Sequence, residues 1–328
     1  MIPLFIGGTG RSGTTILRKG LAQRPDFVAF RSELRIIVDP DGVIDLASSL
    51  DENWSPYKAD IALHRFRTLL SRVKKTNIAK RALRKTLYKA RISPPEYLAL
   101  SLEDDLQAGT LVDTFSPVLQ HLSYGEAKGG WIGSPAGQIP PRIFESVRVP
   151  KSVSLPLLAS AVHSLFEQLP GAAKATAFVE DTPFNILHAH ELFQLFPDML
   201  LVHVHRDPRD VVASYLGKDW GGNDVEMTAR RIRAVLDRWA EIRRTLPNDR
   251  VIEIALEDLA AKPKETLSPL MKTLMLDEIE DFPISVEGAN IGRWRRSMTK
   301  GEIRVLDQIF PEHADGNSYG SRGKLQHG

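Results

Sequence analysis

Cysteine is absent from all 328 residues, which excludes disulfides, thiolate metal sites and cysteine nucleophiles and fits a reducing compartment. No apolar run approaches the about 18 residues that a membrane-crossing helix needs. No basic and then apolar leader precedes Gly7, so no signal peptide is expected and a cytoplasmic protein is. Internal repeats, heptad arrays and low-complexity tracts are missing as well. Acidic residues are missing locally: Ile61 to Pro95 contains eleven Lys or Arg and no Asp or Glu, although the whole chain carries only +2. That stretch is strongly basic, and the remainder is formally acidic.

Hydrophobic residues make up 42% of the chain, enough to bury a sizeable core. The expectation is one α/β domain over residues 1–312, with a mainly helical insertion at about 39–174 and a polar, glycine-rich tail at 313–328. In the basic stretch, Leu63, Phe66, Leu70 and Val73, and then Ile78, Leu83 and Leu87, have helical spacing. An electropositive surface of that kind draws an anionic donor, an acidic acceptor or an anionic membrane face, or is merely a solvated face. Apart from Phe66, which belongs to the apolar series, only Tyr88 interleaves an aromatic ring among the cations from Arg65 to Arg91, so nucleic acid is the less favoured partner.

The opening stretch carries the densest signal. Ile2-Pro3-Leu4-Phe5-Ile6 reads as a buried strand, Gly7-Gly8-Thr9-Gly10-Arg11-Ser12-Gly13 as a turn, and Thr14-Thr15-Ile16-Leu17 as the start of a helix. Glycines there let backbone N–H groups approach an anion at a helix N-terminus. Gly8 and Gly13 keep the spacing of a nucleotide phosphate loop, but Thr14 stands where that loop has Lys. The cation lies inside the turn instead, as Arg11, with the hydroxyls of Ser12, Thr14 and Thr15 beside it.

This string resembles the 5′-phosphosulfate loop of sulfotransferases that use 3′-phosphoadenosine-5′-phosphosulfate (PAPS), in particular bacterial and tyrosylprotein-like members. The resemblance implies a P-loop-type parallel sheet flanked by helices, with Gly10, Arg11, Ser12, Gly13, Thr14 and Thr15 on the donor. After a second short strand at Phe27-Val28-Ala29-Phe30, Glu33 in Arg31-Ser32-Glu33-Leu34-Arg35 resembles the family's general base, with one more residue between it and the loop.

A second match lies near residue 206. Leu200 to His205 reads as a buried strand, Asp207 as an N-cap and Pro208 as the first helical residue, so Arg206 leaves the strand and Ser214 lies about two turns up the helix. An Arg and a Ser eight residues on resemble the 3′-phosphate site of the family; Arg209 is either a further charge there or a surface residue. Trp220 is a candidate adenine or cleft-wall residue, and Gly292-Arg293-Trp294-Arg295 resembles the cluster that closes over the 3′-phosphate.

Between the two matches, Thr176 to Glu180 reads as a strand and Pro183 as a helix start. Relatives often place a catalytic Lys before the Thr-Pro pair, whereas this chain has Asp181. That leaves Arg11 or another cation to take its role on the transferred group, and Glu180 or Asp181 is an alternative base to Glu33. His121, Tyr124, Trp131 and Lys151 read as packing or exposed residues before they read as acceptor-lining ones, and His188 and His190 diverge on a helix and suggest no metal.

The implied activity is in-line sulfuryl transfer from PAPS to an acceptor hydroxyl or amine, releasing adenosine 3′,5′-bisphosphate (PAP), without a required metal. Acceptors left open are carbohydrate, glycolipid, small phenol and peptide, possibly acidic. Two other readings stand beside it: a P-loop kinase or NTPase, and a non-catalytic nucleotide- or nucleic-acid-binding module.

Overall fold

The computed structural model describes residues 1–72, 86–87, 105–107, 109–131, 142–218, 221–284 and 288–313. The second basic helix expected around 78–87, Trp220, and the tail from residue 314 lie largely or wholly outside that set. The chain divides into two compact units, Met1–Phe27 with Lys174–Phe193 and Asp198–Gly328, and Val28–Ala173 with Gln194–Pro197.

The first unit is built on a parallel sheet. Its strands are β1 (Ile2–Gly7), β2 (Phe27–Ala29), β5 (Ala177–Glu180), β6 (Leu200–His205) and β7 (Val251–Ala255), in the order β2-β5-β1-β6-β7, with the unit boundary inside β2. All six residues of β6 and all four of β5 are buried, as expected of strands covered by helices on both faces. β1 pairs with β5 over Ile2 to Phe5 and with β6 over Leu4 to Gly7. That stagger accommodates Pro3: the Ile2 N–H donates to Thr176 O at 2.8 Å, so the Pro3 nitrogen faces the β6 side, where pairing has not begun. Phe5 and Phe178 meet edge to face at 6.2 Å in the core. β1 is the central strand, and successive connections lead to opposite sides of it, so the loop at its C-terminal end sits at the crevice where open parallel sheets bind ligands.

The second unit packs the helices Val43–Leu50, Pro56–Arg72, Thr110–His121 and Lys151–Glu167. Phe66 and Phe115 pack edge to face at 5.2 Å. The unit also holds an antiparallel pair, β3 (Gly125–Lys128) and β4 (Arg142–Glu145), within the insertion expected to be mainly helical. Its residues are mostly polar and exposed, so no apolar alternation announces it. Buried Asp60 ties the hairpin down, accepting from Phe144 N at 2.6 Å and Trp131 Nε1 at 3.0 Å. Of the basic stretch, Arg65 pairs with Asp41 at 3.5 Å and Arg67 with Glu126, exposed contacts of small energetic weight. Among the described residues no helix is long and apolar enough to cross a membrane.

Phe178→Ala should destabilise the protein by about 3–5 kcal/mol, because it removes a wholly buried ring between strands that cannot close the gap. Urea unfolding of the variant checks this, and a loss below about 1 kcal/mol would mean that the core repacks around the site.

Candidate functional site

The turn after β1 is shaped by left-handed backbone. Gly10 (φ 72°), Arg11 (φ 58°) and Gly13 (φ 112°) lie in that region within four residues, so backbone N–H groups are gathered around one concavity. Gly10 is required twice over: besides its φ, an added Cβ would lie 2.2 Å from the Tyr215 hydroxyl, which donates to Thr9 O at 3.0 Å. Gly13 stands at the N-cap of the helix Thr14–Leu21 and offers no capping side chain, leaving the positive end of that helix facing the turn. Ser12 is buried, and its Oγ has no hydrogen-bond partner among the described residues. A buried hydroxyl in that state fits a polar ligand.

The helix Pro208–Leu216 supplies the opposite wall. Asp207 caps it, accepting from Arg209 N at 2.9 Å, and Pro208 occupies its first position. Arg11 Nε donates to Ser214 Oγ at 3.1 Å, which joins the two strings across the sheet. Arg206 reaches Arg11 O at 3.4 Å and Asn290 O at 2.6 Å and lies 3.5 Å from Asp210 Oδ2. Its Nε is buried without a partner among the described residues.

Asp210 was not singled out from sequence, yet it organises the next segment. Its carboxylate accepts from Gly292 N at 2.7 Å and Trp294 N at 3.0 Å. The short helix Arg293–Ser297 is thereby held against the helix Pro208–Leu216. A Cβ on Gly217 would come within 2.5 Å of the Arg293 guanidinium, which places Arg293 at the end of the helix that carries Ser214. Trp294 lies beneath the guanidiniums of Arg209, at 4.1 Å, and Arg295, at 4.6 Å. Arg209 itself is buried and bound to Asp207, not spread on the surface.

The carboxylates differ sharply. Asp181 is buried and pairs with Arg18 at 2.9 Å. Burial pushes its pKa up, against the pull of Arg18 and of the Thr15 hydroxyl that hydrogen-bonds it. The Thr15 side chain is therefore directed at Asp181 as well as standing at the turn. Glu180 accepts from Thr182 N at 3.0 Å, Thr182 Oγ1 at 2.6 Å and Asn185 Nδ2 at 2.6 Å. Complete burial and the neighbouring Asp181 charge nonetheless push its pKa up to about 8. Glu257 accepts from Asp207 N at 3.0 Å, and burial raises its pKa too. Glu33, in the second unit, is half-buried, 3.8 Å from Arg35, which also grips Asp39 at 2.7 Å.

Among the described residues no cluster of three or more His, Cys, Asp or Glu could hold a metal ion. His203 pairs with Glu253 at 2.5 Å, and burial drives the pKa of its neighbour His205 down to about 3. Pro183–His188 is a tight 3₁₀ turn before the helix Ala189–Leu195, where one continuous helix was expected. His190 contacts Thr245 at 2.6 Å.

The structure thus brings Arg11, Ser12, Arg206, Ser214 and Arg293 into one part of the first unit and sets Asp181 in a buried pair with Arg18. The profile of the Sulfotransferase family matches residues 3–281. No curated protein matches the sequence. Among solved structures, the chain is similar to the sulfotransferase domain of a Synechococcus olefin synthase (15% identity, 94% of each chain, TM-score 0.44). It is also similar to a sulfotransferase from Alicyclobacillus acidocaldarius (13% identity, 95% of this chain and 96% of that one, TM-score 0.41). A third is a sulfotransferase from Mycobacterium avium (15% identity, 96% of this chain and 76% of that one, TM-score 0.39).

Asp210→Ala should cost about 3–5 kcal/mol in urea unfolding, since it leaves Arg206 buried without its carboxylate and frees two backbone N–H groups. A cost no greater than that of an exposed Asp→Ala change would contradict this account of Asp210. Glu180 gives a pH prediction. Its folded pKa of about 8 lies above the ordinary 4.5, so between those values the folded state holds a proton that the unfolded chain has lost. Stability from this group is full below pH about 4.5 and declines as pH rises toward about 8. Glu180→Gln should flatten the pH profile of the unfolding midpoint over that interval, and an unchanged slope would assign the pH dependence to other groups.

Proposed function

The chain belongs to the sulfotransferase family, and on that premise we propose that it transfers a sulfuryl group from PAPS to an acceptor hydroxyl or amine by in-line displacement. The observation that carries this reading is the junction of Arg11 with Ser214 at 3.1 Å and of Arg206 with Arg11 O at 3.4 Å. Two guanidiniums and a hydroxyl from strings about two hundred residues apart converge there, and Ser12, next to Arg11 in the chain, has a buried Oγ without a partner among the described residues. Such a donor set suits a ligand with two separate anionic groups.

The donor, when bound, supplies an activated sulfuryl group on a phosphate leaving group. Residues 10–15 would hold the 5′-phosphosulfate with backbone N–H groups, Thr15 included, and with the hydroxyls of Ser12 and Thr14. Arg206 and Ser214 would hold the 3′-phosphate, with Arg293 and Arg295 closing over it, the buried Trp294 supporting Arg295 from beneath, and Trp220 at the adenine. Arg11 would stabilise charge on the transferred group, a preorganised electrostatic role. Glu33 would take the acceptor proton. It is preferred to Asp181 and Glu180, whose carboxylates are buried and committed to Arg18, Thr182 and Asn185. The second unit is proposed to select the acceptor, whether carbohydrate, glycolipid, phenol or peptide. Thr14 in place of the phosphate-loop Lys speaks against a kinase.

The test is transfer from radiolabelled PAPS to a panel of sugar, phenol and peptide acceptors. Arg11→Ala should lower kcat about 10²–10³-fold, and Glu33→Gln about 10²–10⁴-fold. Transfer by Arg11→Ala at the parent rate, or Mg-dependent ATP turnover in place of sulfuryl transfer, would overturn the reading.

A further inference from the structure

The donor reading assigns ligand contacts to Arg206 and Arg293, but leaves unexplained the largest wholly buried side chain among the described residues, which belongs to Arg209. Burying a guanidinium is costly unless every direction it points in is matched. Here it is matched in four ways. Nε lies 3.0 Å from Asp207 Oδ1 and NH2 2.8 Å from Asp207 Oδ2, a two-pronged pair. NH1 donates to His313 O at 2.5 Å and lies 3.6 Å from Asp307 Oδ1. The flat of the guanidinium covers the Trp294 ring at 4.1 Å.

The partners stand next to the proposed ligand contacts in the chain. Asp207 follows Arg206, and Trp294 follows Arg293. One buried cation therefore clamps the neighbours of both proposed 3′-phosphate arginines, and a third attachment reaches the end of the helix Lys300–Ile309 through His313. The segment has a separate apolar anchor: Leu306 and Phe310 are buried with Val211, Val212 and Tyr215. Anchor and clamp are distinct, so loss of the clamp leaves the segment attached but no longer in register.

We propose that Arg209 is a positioning residue that sets discrimination for a 3′-phosphorylated adenosine nucleotide, by fixing segment 290–313 and hence Arg293 relative to Arg206. The inference rests on the donor reading above. Arg209 is assigned no ligand contact, because its guanidinium is buried against Asp207, Trp294 and His313. Lysine cannot replace it: an ammonium is a point charge with no fork for a carboxylate and no plane for an indole.

The experiment is calorimetric titration of wild type, Arg209→Lys and Arg209→Met with PAP and with adenosine 5′-phosphate. The expected result is a rise in the PAP Kd of about tenfold or more in both variants, with the adenosine 5′-phosphate Kd within about twofold of wild type. A merely structural role would weaken both nucleotides together, and that outcome, or an undiminished preference for PAP, would overturn the inference. A wild type with no preference for PAP would overturn the donor reading itself, which is a distinguishable failure. Trp294→Leu attacks the clamp from the other side and leaves the Arg209–Asp207 pair in place. If Arg209→Met does not fold, Trp294→Leu must show the same loss of preference, together with faster amide exchange at positions 292 and 294 but not in β6. Unchanged preference in Trp294→Leu overturns the inference equally.

Discussion

The buried guanidinium of Arg206 is the constraint on which the candidate site depends. A cation out of water must find its counter-charge and acceptors within the protein, and this one finds them on three separate segments. It reaches Arg11 O in the turn after β1, Asp210 in the first turn of the helix Pro208–Leu216 and Asn290 O before the helix Arg293–Ser297. The requirement to satisfy one group thus fixes the mutual placement of three pieces of backbone. Asp210 extends the constraint by accepting from Gly292 and Trp294, so each member of the alternating run Arg206, Asp207, Arg209 and Asp210 is held by another. Arg206 Nε and the Ser12 hydroxyl are among the buried polar atoms left without a hydrogen-bond partner among the described residues.

The sheet makes this arrangement possible. β1 and β6 are adjacent and parallel, so their C-terminal ends and the helices that follow lie side by side, with two helix N-termini directed toward the same end. Parallel strands buried on both faces demand apolar residues throughout, and the polar residues of the site accordingly begin where the strands stop: Thr9 and Ser12 after β1, Arg206 and Asp207 after β6. Glu180 and Asp181, at the end of β5, obey the same geometry but are drawn inward. Asp181 pairs with Arg18 behind the turn and engages Thr15, so the cation beside this carboxylate comes from the helix and not from the strand end. That accounts for an acidic residue at a position where the resemblance leads one to expect Lys.

The parts of this site that were readable from sequence are those whose causes are local. Glycines at 10 and 13 demand left-handed turns within a few residues of one another, and an Asp-Pro pair after an apolar run starts a helix wherever it occurs; β1, β6 and the helices after them followed from such signals. The family match over residues 3–281 agrees with the resemblance drawn from those two strings. Features set by distant partners were not readable. Whether Arg209 was buried depended on Asp207, Trp294 and His313 lying together, the last 104 residues away. Asp210 looked like any acidic residue in a first helical turn, and the β3–β4 hairpin had no apolar alternation to betray it. The 3₁₀ turn at Pro183–His188 was read as regular helix because its apolar spacing is compatible with both.

The most direct measurement is the crystal structure of the protein with PAP bound. The account predicts the 3′-phosphate in contact with Arg206 and Ser214, and the 5′-phosphate against the N–H groups of residues 10–15 with the Ser12 hydroxyl turned toward it. A nucleotide bound elsewhere, or bound with its 3′-phosphate in solvent and Arg206 unengaged, would contradict it.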